Sequence, residues 1–99
     1  MIYLITYDVS NNKKRGLIAK SIKNYGGIRL QKSVFTIDIS QKGLKGLKRA
    51  INGHWKKGIK PTDQILILRI HQSAFYKATI IGRQFDPVLA LGKAKHVII

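Results

Sequence analysis

Twice in this chain, an apolar, β-branched segment is followed by a basic amphipathic helix, and few folds accommodate that order. Residues 2–9 (IYLITYDV) predict a buried strand, because β-branched and aromatic side chains suit a pleated sheet. Any of residues 10–12 (SNN) is able to cap a helix. The helix that follows carries its apolar side chains on one face, at Leu17, Ile18, Ile22 and Tyr25. Gly26 and Gly27 are expected to end it.

The second unit begins with residues 28–39, which fit either one long strand or a hairpin that turns near residues 32–33. Ser40 is the predicted cap of a second helix, whose inward side chains are Leu44, Leu47 and Ile51. Two glycines inside this helix weaken it by about 1 kcal/mol each. Residues 58–63 form a predicted loop, and residues 64–70 form a further apolar strand.

The order β-α-β-β-α-β predicts an α+β, ferredoxin-like sandwich. The sequence YDVS at residues 7–10 is echoed by IDIS at residues 37–40, which supports two equivalent strand–helix units. The chain of 99 residues is expected to form one domain, with its core in about residues 1–72. Beyond that core the pattern weakens: residues 78–81 resemble an added strand, and residues 96–99 resemble a last short one.

The charge balance is extreme, because 19 lysine and arginine residues face four acids, all aspartate, for a formal net charge of +15. Such an excess favours a polyanionic partner and predicts nucleic-acid binding. A membrane surface is a poorer match, since the basic helices lack an exposed Trp/Phe/Leu face. No apolar run approaches the ~20 residues of a membrane span, and the N-terminus lacks a basic leader, so we expect a cytoplasmic protein. The absence of cysteine excludes disulfides and thiolate metal sites.

The four carboxylates limit where chemistry can occur. Asp63 and Asp86 each lie beside a proline and are interpreted as turn or cap residues. Asp38 ends a strand next to the predicted cap of the second helix. Asp8 also ends a strand, but it precedes a helix start, where backbone N–H groups favour anions. Capping and function are both open interpretations of Asp8.

Asp8 and Asp38 are not expected to act as a pair within one chain. In the ferredoxin-like order the first and third strands are antiparallel neighbours, so their carboxyl ends lie at opposite edges of the sheet. A hard cation such as Mg²⁺ takes one or two carboxylates with water and phosphate. A symmetric dimer would supply two copies of Asp8, an arrangement suited to metal-assisted phosphodiester hydrolysis.

Other chemical motifs are missing. The histidines lack the spacing of a zinc site, and no phosphate-binding glycine loop or nucleophile elbow occurs in the chain. Tyr7 and Phe35 are aromatic residues that either stack on bases or belong to the core.

Three segments are informative together: YDVS at residues 7–10, the helix start KKR at residues 13–15, and GIRLQKSVF at residues 27–35. In combination they resemble the CRISPR-associated endoribonuclease family (Cas-two), the small proteins of the spacer-acquisition machinery. The resemblance covers about the first 70 residues, and TIIG at residues 79–82 resembles the short final strand of the family. The family pattern differs at Asn11 and Asn12, where members often have further acids, and at Thr36, where they often have glutamate.

The resemblance implies a ferredoxin-like homodimer in which the two Asp8 side chains face each other and bind a divalent cation, usually Mg²⁺. It also implies that Tyr7 and Phe35 lie at the catalytic site and that basic side chains hold nucleic-acid phosphate, namely Lys13, Lys14, Arg15 and Arg29. Dimers of the CRISPR integrase (Cas-one) are the implied protein partner, with DNA or RNA bound to the basic surface. Residues 73–99 are then expected to reach the dimer or integrase interface.

Three functions follow as hypotheses. The first is a metal-dependent endonuclease acting in CRISPR adaptation. The second is a non-catalytic bridge that holds DNA for the integrase, favoured by the presence of only one suitable acid per chain. The third is a toxin-type ribonuclease of similar fold.

Overall fold

The computed structural model describes residues 1–85. Its elements are β1 (Ile2–Asp8), α1 (Asn12–Asn24), β2 (Ile28–Gln31), β3 (Val34–Asp38), α2 (Gln41–Gly53), β4 (Gln64–Ile70) and α3 (Ser73–Tyr76). The four strands form one sheet in the order β2-β3-β1-β4, and every neighbouring pair is antiparallel. This arrangement confirms the predicted β-α-β-β-α-β order and the ferredoxin-like fold.

The extended segment before the second helix is a hairpin, not one long strand. β2 and β3 pair antiparallel around a turn at Lys32 and Ser33, with an irregularity in register between Arg29 and Gln31. The carbonyl of Ser33 accepts a hydrogen bond from the backbone N–H of Tyr7. The turn is therefore tied to the carboxyl end of β1.

Short polar side chains define where both long helices begin. The Asn11 side chain accepts a hydrogen bond from the Lys14 N–H at 2.9 Å, and the Ser40 hydroxyl accepts one from the Gly43 N–H at 3.0 Å. Each satisfies a backbone donor that has no partner within its helix. Helix α1 ends before Gly26, whose φ of 95° lies in the left-handed region that favours glycine.

The core lies between the sheet and the helices α1 and α2. Odd-numbered residues of β1 point toward the helices, because side chains alternate along a strand. They pack with apolar side chains of both helices and of β3, among them Ile18, Ile22, Leu47, Phe35 and Ile37. Tyr25, which helical spacing assigned to the inward face, is instead 39% exposed and lies against α2 at Gly46.

The opposite face of the sheet is only partly covered. The short helix α3 and the chain after it cover its β2 side, where Phe75 packs with Ile2 and Leu30. The Arg83 guanidinium donates to the Leu30 carbonyl at 3.1 Å. On the β4 side, Leu66 and Leu68 remain 50% and 49% exposed. We call this uncovered part of the sheet, over β1 and β4, the open face.

The added strand predicted for residues 78–81 does not occur within the described residues. Helix α3 follows β4 instead, and Ile81 is 94% exposed without a neighbouring strand to pair with. An extended segment needs such a partner for its backbone groups. The last short strand predicted for residues 96–99 and the turn at Asp86 lie outside the described residues. No helix among residues 1–85 is long and apolar enough to cross a membrane.

Candidate active site

Asp8 is the last residue of β1 and is exposed at one end of the sheet, where it pairs with Gln64 of β4. Alternation along β1 directs its side chain away from the helices, to the open face on which Leu66 and Leu68 are exposed. Within residues 1–85 its carboxylate has no hydrogen bond or ion pair. Asp8 is therefore available to bind something that the chain itself does not provide.

Asp38 lies at the other end of the sheet, as expected. The register aligns it with Ile2, and its carboxylate forms an ion pair of 3.1 Å with the amino group of Met1. The two strand-ending acids are thus separated by the length of β1, which confirms that Asp8 and Asp38 do not form a pair within one chain.

Asp63 has a structural role and ties two loops together. Its carboxylate accepts hydrogen bonds from the backbone N–H of Ser10 at 3.1 Å and of Lys60 at 2.8 Å, and a longer one from the Ser10 hydroxyl at 3.5 Å. The Lys60 N–H holds the pKa of Asp63 below its ordinary value. This contact anchors the segment that follows Asp8 to the loop before β4.

We expect Asp63→Asn to lower stability at neutral pH but not in acid. The ionised carboxylate stabilises the fold fully above its ordinary pKa of 3.8, and this contribution is lost as the pH falls through the lower pKa of the folded state. Urea midpoints of the two proteins should therefore differ at neutral pH and converge in acid, below the lowered pKa of the folded state. A difference that stays constant over this range would contradict the role assigned to the Asp63 charge.

Tyr7 and Phe35 belong to the core. Their rings lie 6.2 Å apart with an interplanar angle of 25°. Phe35 is fully buried, and Tyr7 is 6% exposed and donates its hydroxyl to the Lys32 carbonyl at 3.3 Å. The Arg29 guanidinium lies over the Phe35 ring, 5.0 Å from its centroid. Base stacking, one of the two interpretations of these rings, is therefore not possible with the rings buried in this way. They instead support Arg29 and the hairpin turn.

A basic cleft of about 260 Å³ lies on the helix side of the same end of the sheet. It is lined by Tyr7, Asn12, Arg15, Gly16, Arg29, Lys32 and Ser33. The Arg15 guanidinium donates to the Val9 carbonyl at 3.3 Å, which fixes it next to the start of α1. Guanidinium groups match phosphate oxygens, and the helix start adds partial positive charge. The cleft is therefore suited to an anion such as phosphate.

The structure brings some of the predicted site residues together and separates others. Tyr7, Arg15 and Arg29 meet around the basic cleft, with exposed Lys13 on the first turn of α1 beside it. Asp8 lies at the same end of the sheet but on the opposite face, since it is one residue further along β1. Sequence reasoning missed Lys32 and Asn12, whose only signal was their position next to a turn and a helix start.

The part of one chain that the structure describes does not bring together the side chains of a metal centre. Among residues 1–85, no three histidine, cysteine or acidic side chains lie close enough to hold an ion together. His71 has a local partner, with its Nδ1 atom 2.9 Å from the Ser73 hydroxyl at the start of α3.

The sheet order, the two helices on one face and the hairpin between them define a small, basic protein of the ferredoxin-like class. Residues 1–78 match the family described as CRISPR associated protein Cas2. The chain belongs to this family.

Relatives and a solved structure agree with this assignment. A "CRISPR-associated endoribonuclease Cas2 1" of Chloroflexus aurantiacus is 34% identical over 82 residues, which cover 83% of this chain and 85% of the relative. A protein of the same name from Francisella tularensis subsp. novicida is 35% identical over 69 residues, covering 70% and 67%. The crystal structure of Streptococcus pyogenes Cas2 at pH 6.5 superposes with a TM-score of 0.71 at 23% identity, covering 83% of this chain and all of that one. The last similarity bears on the fold.

Proposed function

We propose that this protein acts in CRISPR adaptation as a homodimeric, metal-dependent endonuclease that binds nucleic acid at the Asp8 end of its sheet. The proposal rests on which of its carboxylates already have a partner within the described residues. Of the three acids among residues 1–85, Asp38 and Asp63 are engaged by the chain, while the Asp8 carboxylate is exposed and has no partner there. The relatives from Chloroflexus and Francisella are named as endoribonucleases, which makes RNA the first substrate to test.

The open face supports the homodimer. Leu66 and Leu68 are half exposed there, and apolar area of this kind favours association. Members of the Cas2 family act as dimers. Because Asp8 lies on the same face, a two-fold axis through the open face would bring two Asp8 side chains toward each other.

The residues present fit a divalent cation only in such a dimer. One carboxylate without a partner among residues 1–85 of each chain is too few, whereas two carboxylates match the oxygen ligands that Mg²⁺ usually takes from a protein. The ion would supply a Lewis acid to polarise a phosphate oxygen. The chain's own contribution is to hold other phosphates of the same nucleic acid with Arg15 and Arg29, on the helix side of that end of the sheet, and to keep the segment after Asp8 in place through Asp63.

The unpaired cations support nucleic acid as the ligand. Within residues 1–85 the only ion pair joins the Met1 amino group to Asp38, so no lysine or arginine there is neutralised in this way. Basic side chains without acidic partners are available for phosphates. Binding is therefore expected to weaken steeply with salt, because each neutralised phosphate releases counterions.

A second function is a bridge that holds DNA for the CRISPR integrase without cutting it. The observation in its favour is that a single chain offers no group of acids able to hold a metal within residues 1–85. In that case the homodimer and its basic surface hold DNA in the complex with the integrase, and Asp8 is not needed for this role.

The test is cleavage of labelled RNA and of labelled duplex DNA, with Mg²⁺ and with EDTA in its place. We expect cleavage with Mg²⁺, loss of cleavage with EDTA, and recovery when Mg²⁺ is restored. A parallel spacer-integration assay with the CRISPR integrase separates the two functions. Normal integration without cleavage of either substrate would refute the endonuclease and support the bridge.

A further inference from the structure

Helix α2 and strand β4 border a groove of about 340 Å³ on the helix side of the sheet. Its walls come from the last turns of α2, the turn that follows the helix and the first half of β4. The lining residues are Lys48, Ile51, Asn52, Trp55, Ile65 and Ile67. None of them lines the basic cleft at Arg15 and Arg29, so the groove is a separate feature of the molecule.

The floor of the groove is apolar. Ile65 and Ile67 pair with buried, helix-facing residues of β1, and they therefore point to the same side of the sheet. Together with Trp55 they pack against the core, yet all three remain only half-buried. Among the described residues β4 is an edge strand with β1 as its one neighbour, so no further strand shields them. The groove thus leaves part of three large apolar side chains in contact with water.

The surroundings of the groove are basic. Lys48 lines it, and Lys56 and Lys57 follow Trp55 directly along the chain; all three lysines are exposed. Residues 41–62 contain no acid, and none of these lysines forms an ion pair within residues 1–85. An apolar floor beside unpaired cations is complementary to a segment that carries an apolar side chain among carboxylates.

Charge also distinguishes between the possible occupants of the groove. A second copy of the chain brings a formal net charge of +15, and residues 86–99 of the chain itself contain two lysines against one aspartate. Like charges that face each other disfavour both occupants. Nucleic acid matches the lysines, but it presents phosphates, sugars and base edges and has no aliphatic side chain for the floor. An acidic protein segment matches both the floor and the lysines.

We infer that this groove binds an acidic segment of another protein, which inserts an apolar side chain such as leucine against Trp55. An apolar cavity of about 150 Å³ already holds a group the size of benzene, so the groove has room for such a side chain. Tryptophan is prominent among the residues that dominate the binding energy of protein interfaces. The inference does not depend on the proposed endonuclease, because the groove lies on the opposite face of the sheet from Asp8.

Trp55 is the single tryptophan of the chain, so its fluorescence reports on the groove directly. The probe is a short peptide with capped ends that carries leucine at its centre and glutamate on both sides, titrated into the full-length protein. We expect a saturable shift of the emission to shorter wavelength, because the leucine excludes water from the indole ring. A matched peptide with alanine in place of leucine should bind at least about tenfold more weakly, which corresponds to 1.4 kcal/mol. A peptide with lysine in place of glutamate should not bind.

Two variants with the same change of charge test the position of the site. Lys48→Glu alters the groove, and Lys20→Glu alters the exposed face of α1, which does not line it. Lys48→Glu should bind the acidic peptide severalfold more weakly and the lysine peptide more tightly, whereas Lys20→Glu should behave as the wild type. Glutamate suits a helix about as well as lysine, so both variants should unfold at the temperature of the wild type. Unchanged thermal unfolding separates lost binding from lost folding.

Several results would overturn the inference. They are the absence of binding by the leucine peptide, equal binding of the leucine and alanine peptides, and equal losses in the Lys48 and Lys20 variants. A shift of the Trp55 emission with protein concentration alone would assign the groove to a second copy of the chain. The same shift on addition of an RNA duplex, with displacement of the peptide, would assign it to nucleic acid. Each of these results leaves the cleavage assay, and with it the proposed function, unaffected.

Discussion

Replacing Asp8 with asparagine should abolish metal-dependent cleavage while leaving the fold unchanged. We expect the cleavage rate to fall at least about 100-fold. Replacing residues that only orient metal ligands already lowers metal affinity or activity by about 10–100-fold. The side chain is exposed and has no partner within residues 1–85, so its loss breaks no internal contact. Cleavage rates at saturating Mg²⁺ and thermal unfolding of both proteins provide the measurement.

The matched control is Asp38→Asn, which removes the same charge from the other end of β1. Among the described residues Asp38 pairs with the exposed Met1 amino group alone, and surface pairs of this kind contribute about 0–1 kcal/mol. Cleavage by this variant should therefore stay near that of the wild type. If both variants cleave equally well, Asp8 is not the working acid, and the non-catalytic bridge becomes the better description.

Replacing Leu68 with lysine should separate the homodimer. Leu68 lies in the middle of β4, opposite Leu4 of β1, and it is 49% exposed on the open face. A two-fold interface would bury two added charges without partners, at several kcal/mol each. We expect the dimer dissociation constant to rise by at least about 100-fold, since tenfold corresponds to 1.4 kcal/mol. Sedimentation over a range of protein concentrations measures the change.

Cleavage should be lost together with the dimer, because a metal held by two Asp8 side chains requires both chains. Gln41→Lys adds the same charge to the exposed start of α2, on the other side of the sheet, and should leave both dimer and cleavage unaffected. A Leu68→Lys protein that remains dimeric would show that another surface joins the chains. A monomer that still cleaves would contradict the shared metal site.

Local patterns predicted most of the secondary structure because the signals involved are short-range. Residues 2–9 are mostly β-branched or aromatic, as strand residues often are, and Asn11 and Ser40 cap their helices by accepting from backbone N–H groups three residues further on. The hairpin and the added strand were harder. The sequence left open whether residues 28–39 form one long strand or a hairpin, because that choice depends on which strands pair. Residues 78–81 have the composition of a strand but have no partner strand among the described residues.

The candidate site, too, was predictable from the sequence in part only. The sequence made Asp8 one of four acids and favoured it through a family resemblance. Which carboxylates are engaged was decided only by contacts between distant segments, because Asp38 binds the amino group 37 positions earlier and Asp63 binds Ser10 53 positions earlier. Neither contact leaves a periodic or local signal that could be read along the chain.

The net charge and the order of strands and helices along the chain were thus readable from the sequence, since they depend on composition and on spacings of two to four residues. The tertiary structure decided which of these charges remain unpaired. Packing placed Arg29 over Phe35, tied Asp63 to Ser10 and left Asp8 beside an uncovered apolar face. These outcomes arise because folding brings together segments that lie far apart along the chain.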